Sequence, residues 1–307
     1  MRFFKIGFAS LLAFSLFITC RTNEVKKVEK EIAQSQINST NKKDELVTSF
    51  KEWKKNPVPL ISAHRGGPYP GFPENSIETF ANIVHHTSTV IECDVAMSKD
   101  SVLVLMHDRN LDRTTTGKGP IKEAYFKDLQ ELKLVDNGGK KTEFKIPTLD
   151  KVLEWGKGKV LFTLDIKRGV PFAKVLEMVE KHNATDYAAI ITYRIQDAKL
   201  VHDLNKEVMI SVSARDEGAL EQIEKANLPA DKLLGFVGTR QPDLSHYNSL
   251  REKGIKTILG TLGNLDKSAI AKGNDEVYLT YIKNGANIIA TDRPLEVAKV
   301  LKTSSKK

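Results

Sequence analysis

Three short stretches deliver acids and cations to the ends of apolar runs. In "IECDV", Glu92 and Asp94 stand two apart, so the pleat of a strand sends both carboxylates to one face and Cys93 to the other. Neighbouring carboxylates repel unless a cation or a shared proton lies between them. Val90, Ile91 and Val95 around them speak against a solvated, outward-facing strand. In "FTLDIK", Asp165 and Lys167 again share a face. A third strand-end carboxylate completes an all-oxygen ligand set, which suits Mg²⁺ or Ca²⁺ rather than zinc, and Lys167 is left to hold an anion.

Two histidines end apolar runs as well: His64 in "SAHRGG", followed by Arg65, and His107 in "VLMHDR". An imidazole titrates near neutrality and serves as either acid or base. A divalent cation, the Arg65 and Lys167 charges and two imidazoles at strand ends together suit phosphoryl transfer at a phosphate ester. The positive groups stabilise charge developing on the phosphoryl oxygens, one imidazole activates the attacking oxygen, and the other protonates the leaving alcohol. His85, His86, His182, His202 and His246 fall on apparent helices or loops and read as surface residues, and Cys93 reads as a small buried core residue.

Such groups need strands to carry them. From residue 57 to 303, short β-branched runs alternate with amphipathic segments; the runs include "VPLISAH", "TVIECDVAM", "VLVLMHD", "VLFTLDI", "AAIIT" and "NIIATD". This alternation predicts an α/β protein, a TIM-type (β/α)8 barrel, whose catalytic groups gather at the C-terminal ends of its strands. No Gly-x-Gly-x-x-Gly turn is present, which disfavours a doubly wound nucleotide-binding sheet. Residues 108–146 break the pattern. They are polar and Gly-rich, with one short helix expected near Phe126 to Leu132, and predict an inserted subdomain capping a barrel rim.

The chain of 307 residues, 40% of them hydrophobic, is long enough for one large domain. Its net charge of +8 is concentrated in terminal lysine clusters without interleaved aromatics, so no nucleic-acid partner is expected. Residues 1–20 read as an export signal, with a basic start at Arg2 and Lys5 and a short apolar core. The signal ends in Cys20 and so resembles a bacterial lipoprotein precursor, although Thr19 stands where Gly, Ala or Ser is usual. Lipid on Cys20 would hold the protein to a membrane as an exported periplasmic or cell-envelope lipoprotein. Plain secretion or a retained anchor is the alternative. Residues 21–56 read as a polar tether, and with Cys93 the only other cysteine, lipid on Cys20 would leave the mature chain without an internal disulfide.

Taken in order, "AHRGG", "PENSIETF", "IECDV", "VLVLMHDRNLDRTTTGKGPI", "IPTLDKVLE", "LFTLDIK" and "IIATDRP" resemble the glycerophosphodiester phosphodiesterase family from about Pro57 to Lys302. The resemblance implies a barrel of eight β/α units with a small subdomain inserted after the strand bearing the second histidine. It implies an enzyme of lipid metabolism that hydrolyses a small-molecule glycerophosphodiester, with a divalent metal, to glycerol 3-phosphate and an alcohol. By the same resemblance His64 and His107 are the acid–base pair, Arg65, Lys167, Glu74 and Asn75 meet the substrate, and Glu92, Asp94 and Asp165 hold the metal. Three positions depart from the family pattern. Asp165 stands for the usual Glu, Asp100-Ser101 replaces an Asp-Gly turn, and "TILGTLGN" lacks the Trp many members carry. The Asp-x-Lys element is also similar to sphingomyelinase D enzymes, which implies an alternative outcome with a cyclic phosphate product. A phosphate-binding lipoprotein without turnover is a further alternative, against which the presence of both histidines argues.

Overall fold

The computed structural model describes residues 46–304; the expected signal, Cys20 and most of the expected tether lie outside the described residues. Eight parallel strands form the frame: β1 (Leu60–Ala63), β2 (Val90–Met97), β4 (Leu161–Ile166), β5 (Ala188–Ile191), β6 (Met209–Ser213), β7 (Leu233–Phe236), β8 (Lys256–Gly260) and β9 (Ile288–Thr291). A ninth, β3 (Leu103–Leu105), lies outside the ring. The ring closes because Ser62 of β1 pairs with Val90 of β2 on one side and Ala290 of β9 on the other. Closure leaves no open edge in the ring. The barrel expected from the alternating runs is the observed architecture, with helices between the strands.

Two helices beside the site begin where their sequences place a capping hydroxyl. The helix Ile77–His86 begins at Ser76, whose hydroxyl accepts from the Thr79 amide, and it buries Thr79, Phe80 and Ile83. The helix Leu149–Gly156 begins likewise at Thr148, whose hydroxyl accepts from the Lys151 amide. These faces pack on the strands in one continuous core that includes Ile91, Leu164, Phe162 and Ile190. Cys93 is fully buried in that core.

Two expectations need correction. The barrel body begins before residue 57: the helix Phe50–Lys55 places Phe50 and Trp53 in the main core, and the Trp53 indole donates to the Val58 carbonyl at 2.8 Å. Lysines on either side hide this aromatic pair in the sequence. The second correction concerns β3, which runs antiparallel to β2, with Val95 opposite Leu105. His107 therefore follows an antiparallel strand outside the ring, and the excursion begins right after β2 instead of after the histidine. Ala96, Val104 and Met106 join Leu111, Ile121, Leu129, Leu134 and Ile146 in a second, smaller core beneath this lobe. The expected lobe helix spans Phe126–Leu129. At the turn into β3, Ser101 takes φ 63°, a left-handed conformation that glycine enters without strain.

Candidate active site

Strand β1 ends in a tight turn over His64–Gly66, closed by the Gly67 amide donating to the His64 carbonyl at 2.9 Å. Arg65 sits at φ 51° and Gly66 at φ 84°. A Cβ on Gly66 would lie 2.1 Å from Cε1 of Phe80, so only glycine lets the turn rest against that buried ring. The turn aims the Arg65 amide at Glu92 Oε2, 2.7 Å away.

The register of β2 beside β4 pairs Asp94 with Asp165. Glu92, Asp94 and Asp165, all buried, each offer a carboxylate oxygen within 4.8 Å of the others. Gathering three acids has an electrostatic cost, seen at Glu92, whose pKa is raised by burial and by the Asp94 charge. Burial also pushes Asp94 up, but Lys167 and the Asn75 hydrogen bond outweigh it, and the net shift is downward. Lys167 Nζ lies 2.6 Å from Asp94 Oδ1 and 2.7 Å from Asp165 Oδ2. Burial lowers the Lys167 pKa, and the two acids more than reverse this. Three crowded hard oxygen donors, whose mutual repulsion shows in the raised Glu92 pKa, fit a divalent cation of the Mg²⁺ or Ca²⁺ class, which would relieve that repulsion.

Glu74 and Asn75, expected beside the substrate, stand behind other site groups instead of lining the cavity. Glu74, 3% exposed, accepts from Arg65 Nη1 at 3.1 and 3.2 Å and from Arg113 Nη1 and Nη2 at 2.9 and 2.8 Å. One buried carboxylate bridges two guanidinium groups, and each of these also faces an aspartate, Arg65 facing Asp94 and Arg113 facing Asp108. Asn75, at φ 59°, grips Asp94 twice, donating Nδ2 to Oδ2 at 2.7 Å and accepting the Asp94 amide at 2.9 Å. Both act by orienting Arg65 and Asp94.

Each histidine is oriented by an acid. His64 Nδ1 lies 2.7 Å from Asp292 Oδ1, and His107 Nδ1 lies 2.7 Å from Asp108 Oδ1. In both cases Nε2 is the ring nitrogen left for chemistry. Burial draws the His64 pKa down, but Asp292 and Glu92 prevail and the net shift is upward. Asp108 is held low by two hydrogen bonds from Arg113, so that Arg65, Glu74, Arg113, Asp108 and His107 form one chain of contacts between the β1 turn and the lobe.

A cavity of about 450 Å³ at the C-terminal ends of the strands brings His64, His107, Glu92, Asp94, Asp165 and Lys167 together. Its far wall holds Tyr193, Arg215, Phe236, Ile258 and Leu262. Sequence reasoning missed Asp292, although "IIATD" shows the same acid-at-run-end signal that exposed Asp165. It missed Arg113 and Asp108 because loop residues carry no periodicity. His246, expected at the surface, is 7% exposed, with Nε2 2.7 Å from the Ala214 carbonyl on the far side of a helix start; its helix turns it inward.

Residues 64–260 match the model of the glycerophosphoryl diester phosphodiesterase family. The chain belongs to that family. A glycerophosphodiester phosphodiesterase of Caldanaerobacter subterraneus is 33% identical over 153 residues, 46% of this chain and 61% of that relative. The uncharacterized protein YqiK of Bacillus subtilis is 30% identical over 179 residues, 55% of this chain and 72% of its own. The crystal structure of a glycerophosphoryl diester phosphodiesterase from Parabacteroides distasonis matches with a TM-score of 0.79 at 30% identity, covering 84% of this chain and 93% of that one. An Oleispira antarctica phosphodiesterase in complex with the product sn-glycerol-3-phosphate shares the fold at a TM-score of 0.65 and 20% identity, over 81% of this chain and 97% of that one.

Proposed function

We propose that this family member hydrolyses glycerophosphodiesters to glycerol 3-phosphate and a free alcohol with the help of a divalent cation. The observation that carries the reading is the cavity itself, where two imidazoles with free Nε2 atoms flank a cluster of three carboxylates and the Lys167 ammonium, with Arg65 on the β1 turn beside Glu92. Glu92, Asp94 and Asp165 would hold the ion, which supplies Lewis-acid stabilisation of charge developing on the phosphoryl oxygens. Arg65, fixed by Glu74, and Lys167 draw the phosphate to the β1–β4 side of the barrel. One imidazole takes the proton of the attacking water at Nε2 while the other delivers a proton to the leaving oxygen.

The test is product release from glycerophosphocholine and glycerophosphoethanolamine. Chelation should abolish turnover, and Mg²⁺ or Ca²⁺ should restore it, with glycerol 3-phosphate as product. A cyclic phosphate as product would replace hydrolysis with the sphingomyelinase D-type reaction. Turnover undiminished by chelator would remove the metal from the reading.

Export and lipid attachment at Cys20 belong to the same proposal and rest on the sequence of residues 1–20. Labelled palmitate should enter the wild-type chain and fail to enter Cys20→Ala; equal labelling of both would defeat the anchor.

A further inference from the structure

The wall of the cavity facing the β1 histidine is built by β6 and β7, and β6 lies four strands from β1 in either direction round the ring. Just past β6, Arg215 lays its guanidinium against the Phe236 ring, 5.6 Å from the centroid, and both side chains line the cavity. The other two fixed cations of the cavity region are already paired, Arg65 with Glu74 and Lys167 with Asp94 and Asp165. Among the described residues, Arg215 has no carboxylate within ion-pair distance. Ser211 and Ser213 on β6 add hydroxyls to the same wall.

We propose that Arg215 is a specificity-determining residue that selects diesters whose alcohol part carries a negative charge, a phosphate or a carboxylate, over those carrying a quaternary ammonium. The inference rests on the hydrolase reading above. Arg65 and Lys167 place the phosphodiester on the β1–β4 side, so a substituent reaching across the cavity meets the β6 wall. Glycerol is uncharged and common to all such substrates, so the charge that Arg215 reads lies on the alcohol. A quaternary ammonium would ordinarily seek an aromatic face. Here the Phe236 face is taken by a guanidinium, and an incoming cation meets like charge instead. Attraction of an anion and repulsion of a cation at an exposed arginine together give discrimination of about tenfold.

The experiment compares glycerophosphoinositol 4-phosphate with glycerophosphocholine on the intact protein, wild type, Arg215→Ala and Arg215→Lys. Both kcat/KM and the calorimetric Kd of each diester are measured. Wild type should favour the anionic diester in both quantities, Arg215→Ala should reduce the ratio about tenfold, and Arg215→Lys should keep most of it. A ratio that moves less than twofold in Arg215→Ala, or a wild-type preference for the choline diester, overturns the inference. The two readings fail separately: absent turnover with the Kd ratio as expected removes the hydrolase reading alone, whereas turnover of both diesters with an unmoved ratio removes this one alone.

Discussion

At the scale of single residues, each candidate reacting group is held by a neighbouring acid, His64 by Asp292 and His107 by Asp108. Asp292 raises the His64 pKa by hydrogen bond and by charge, against the effect of burial. Asp292→Asn keeps the shape and removes the charge, so the limb of the pH–rate profile belonging to His64 should move to lower pH. The sign holds whichever limb that is, because the stabilised form is the imidazolium. Turnover should fall by less than the about 10²–10⁴-fold expected from losing a general acid or base altogether. Full pH profiles of the two proteins check this, and a limb that moves to higher pH would contradict the assigned partnership. Asp292 itself lowers its pKa through His64, although burial works the other way, so the pair is mutually consistent.

At the scale of elements, the β1 turn is the piece most exposed to a small change. Gly66→Ala would drive a methyl group into Phe80 at a left-handed φ, with a cost of about 1–3 kcal/mol. Thermal melting should drop by several degrees, and kcat should fall because His64 and Arg65 ride on the same turn. A variant with wild-type melting and turnover would show that the turn yields easily. The elements were also where the sequence was most informative. Strands β2 and β4 declared themselves through apolar runs that end in acids, and alternation gave the ring. The direction of β3 was not legible, since a short apolar run has the same appearance parallel or antiparallel, and only pairing with β2 decides it. Glu74 and Asn75 were found by motif, yet their orienting role depends on Arg113 and Asp94, neighbours that no spacing in the chain predicts. Arg215 gave no signal, because a lone cation after a strand is ordinary until Phe236 is seen beneath it.

At the scale of the whole molecule, the barrel takes its stability partly from a segment that reads as linker. Phe50 and Trp53 are 0% and 2% exposed, and removing a buried aromatic side chain costs about 3–5 kcal/mol. A chain beginning at Pro57 should therefore unfold at a lower denaturant concentration than one beginning at Leu46, with a difference of several kcal/mol in extrapolated stability. Equal midpoints would mean that the helix Phe50–Lys55 merely decorates the barrel.

The second hydrophobic cluster beneath the lobe has a consequence for how the molecule fails on heating. His64 rides on the large core, whereas the strand leading to His107 is shared, with Leu103 and Leu105 in the large core and Val104 and Met106 in the small one; beyond that strand the contact chain through Arg113, itself 46% exposed, is a weak strap. Lobe residues such as Leu111 and Leu134, which pack only in the small core, should therefore open at a lower free energy than the barrel. Catalysis becomes a thermometer for the lobe alone: heated in steps, the enzyme should fall silent while circular dichroism still reports an intact barrel, and amides around Leu111 and Leu134 should exchange with deuterium before those of Ile91 and Leu164. Coincident loss of activity and barrel signal would mean that the two cores melt as one.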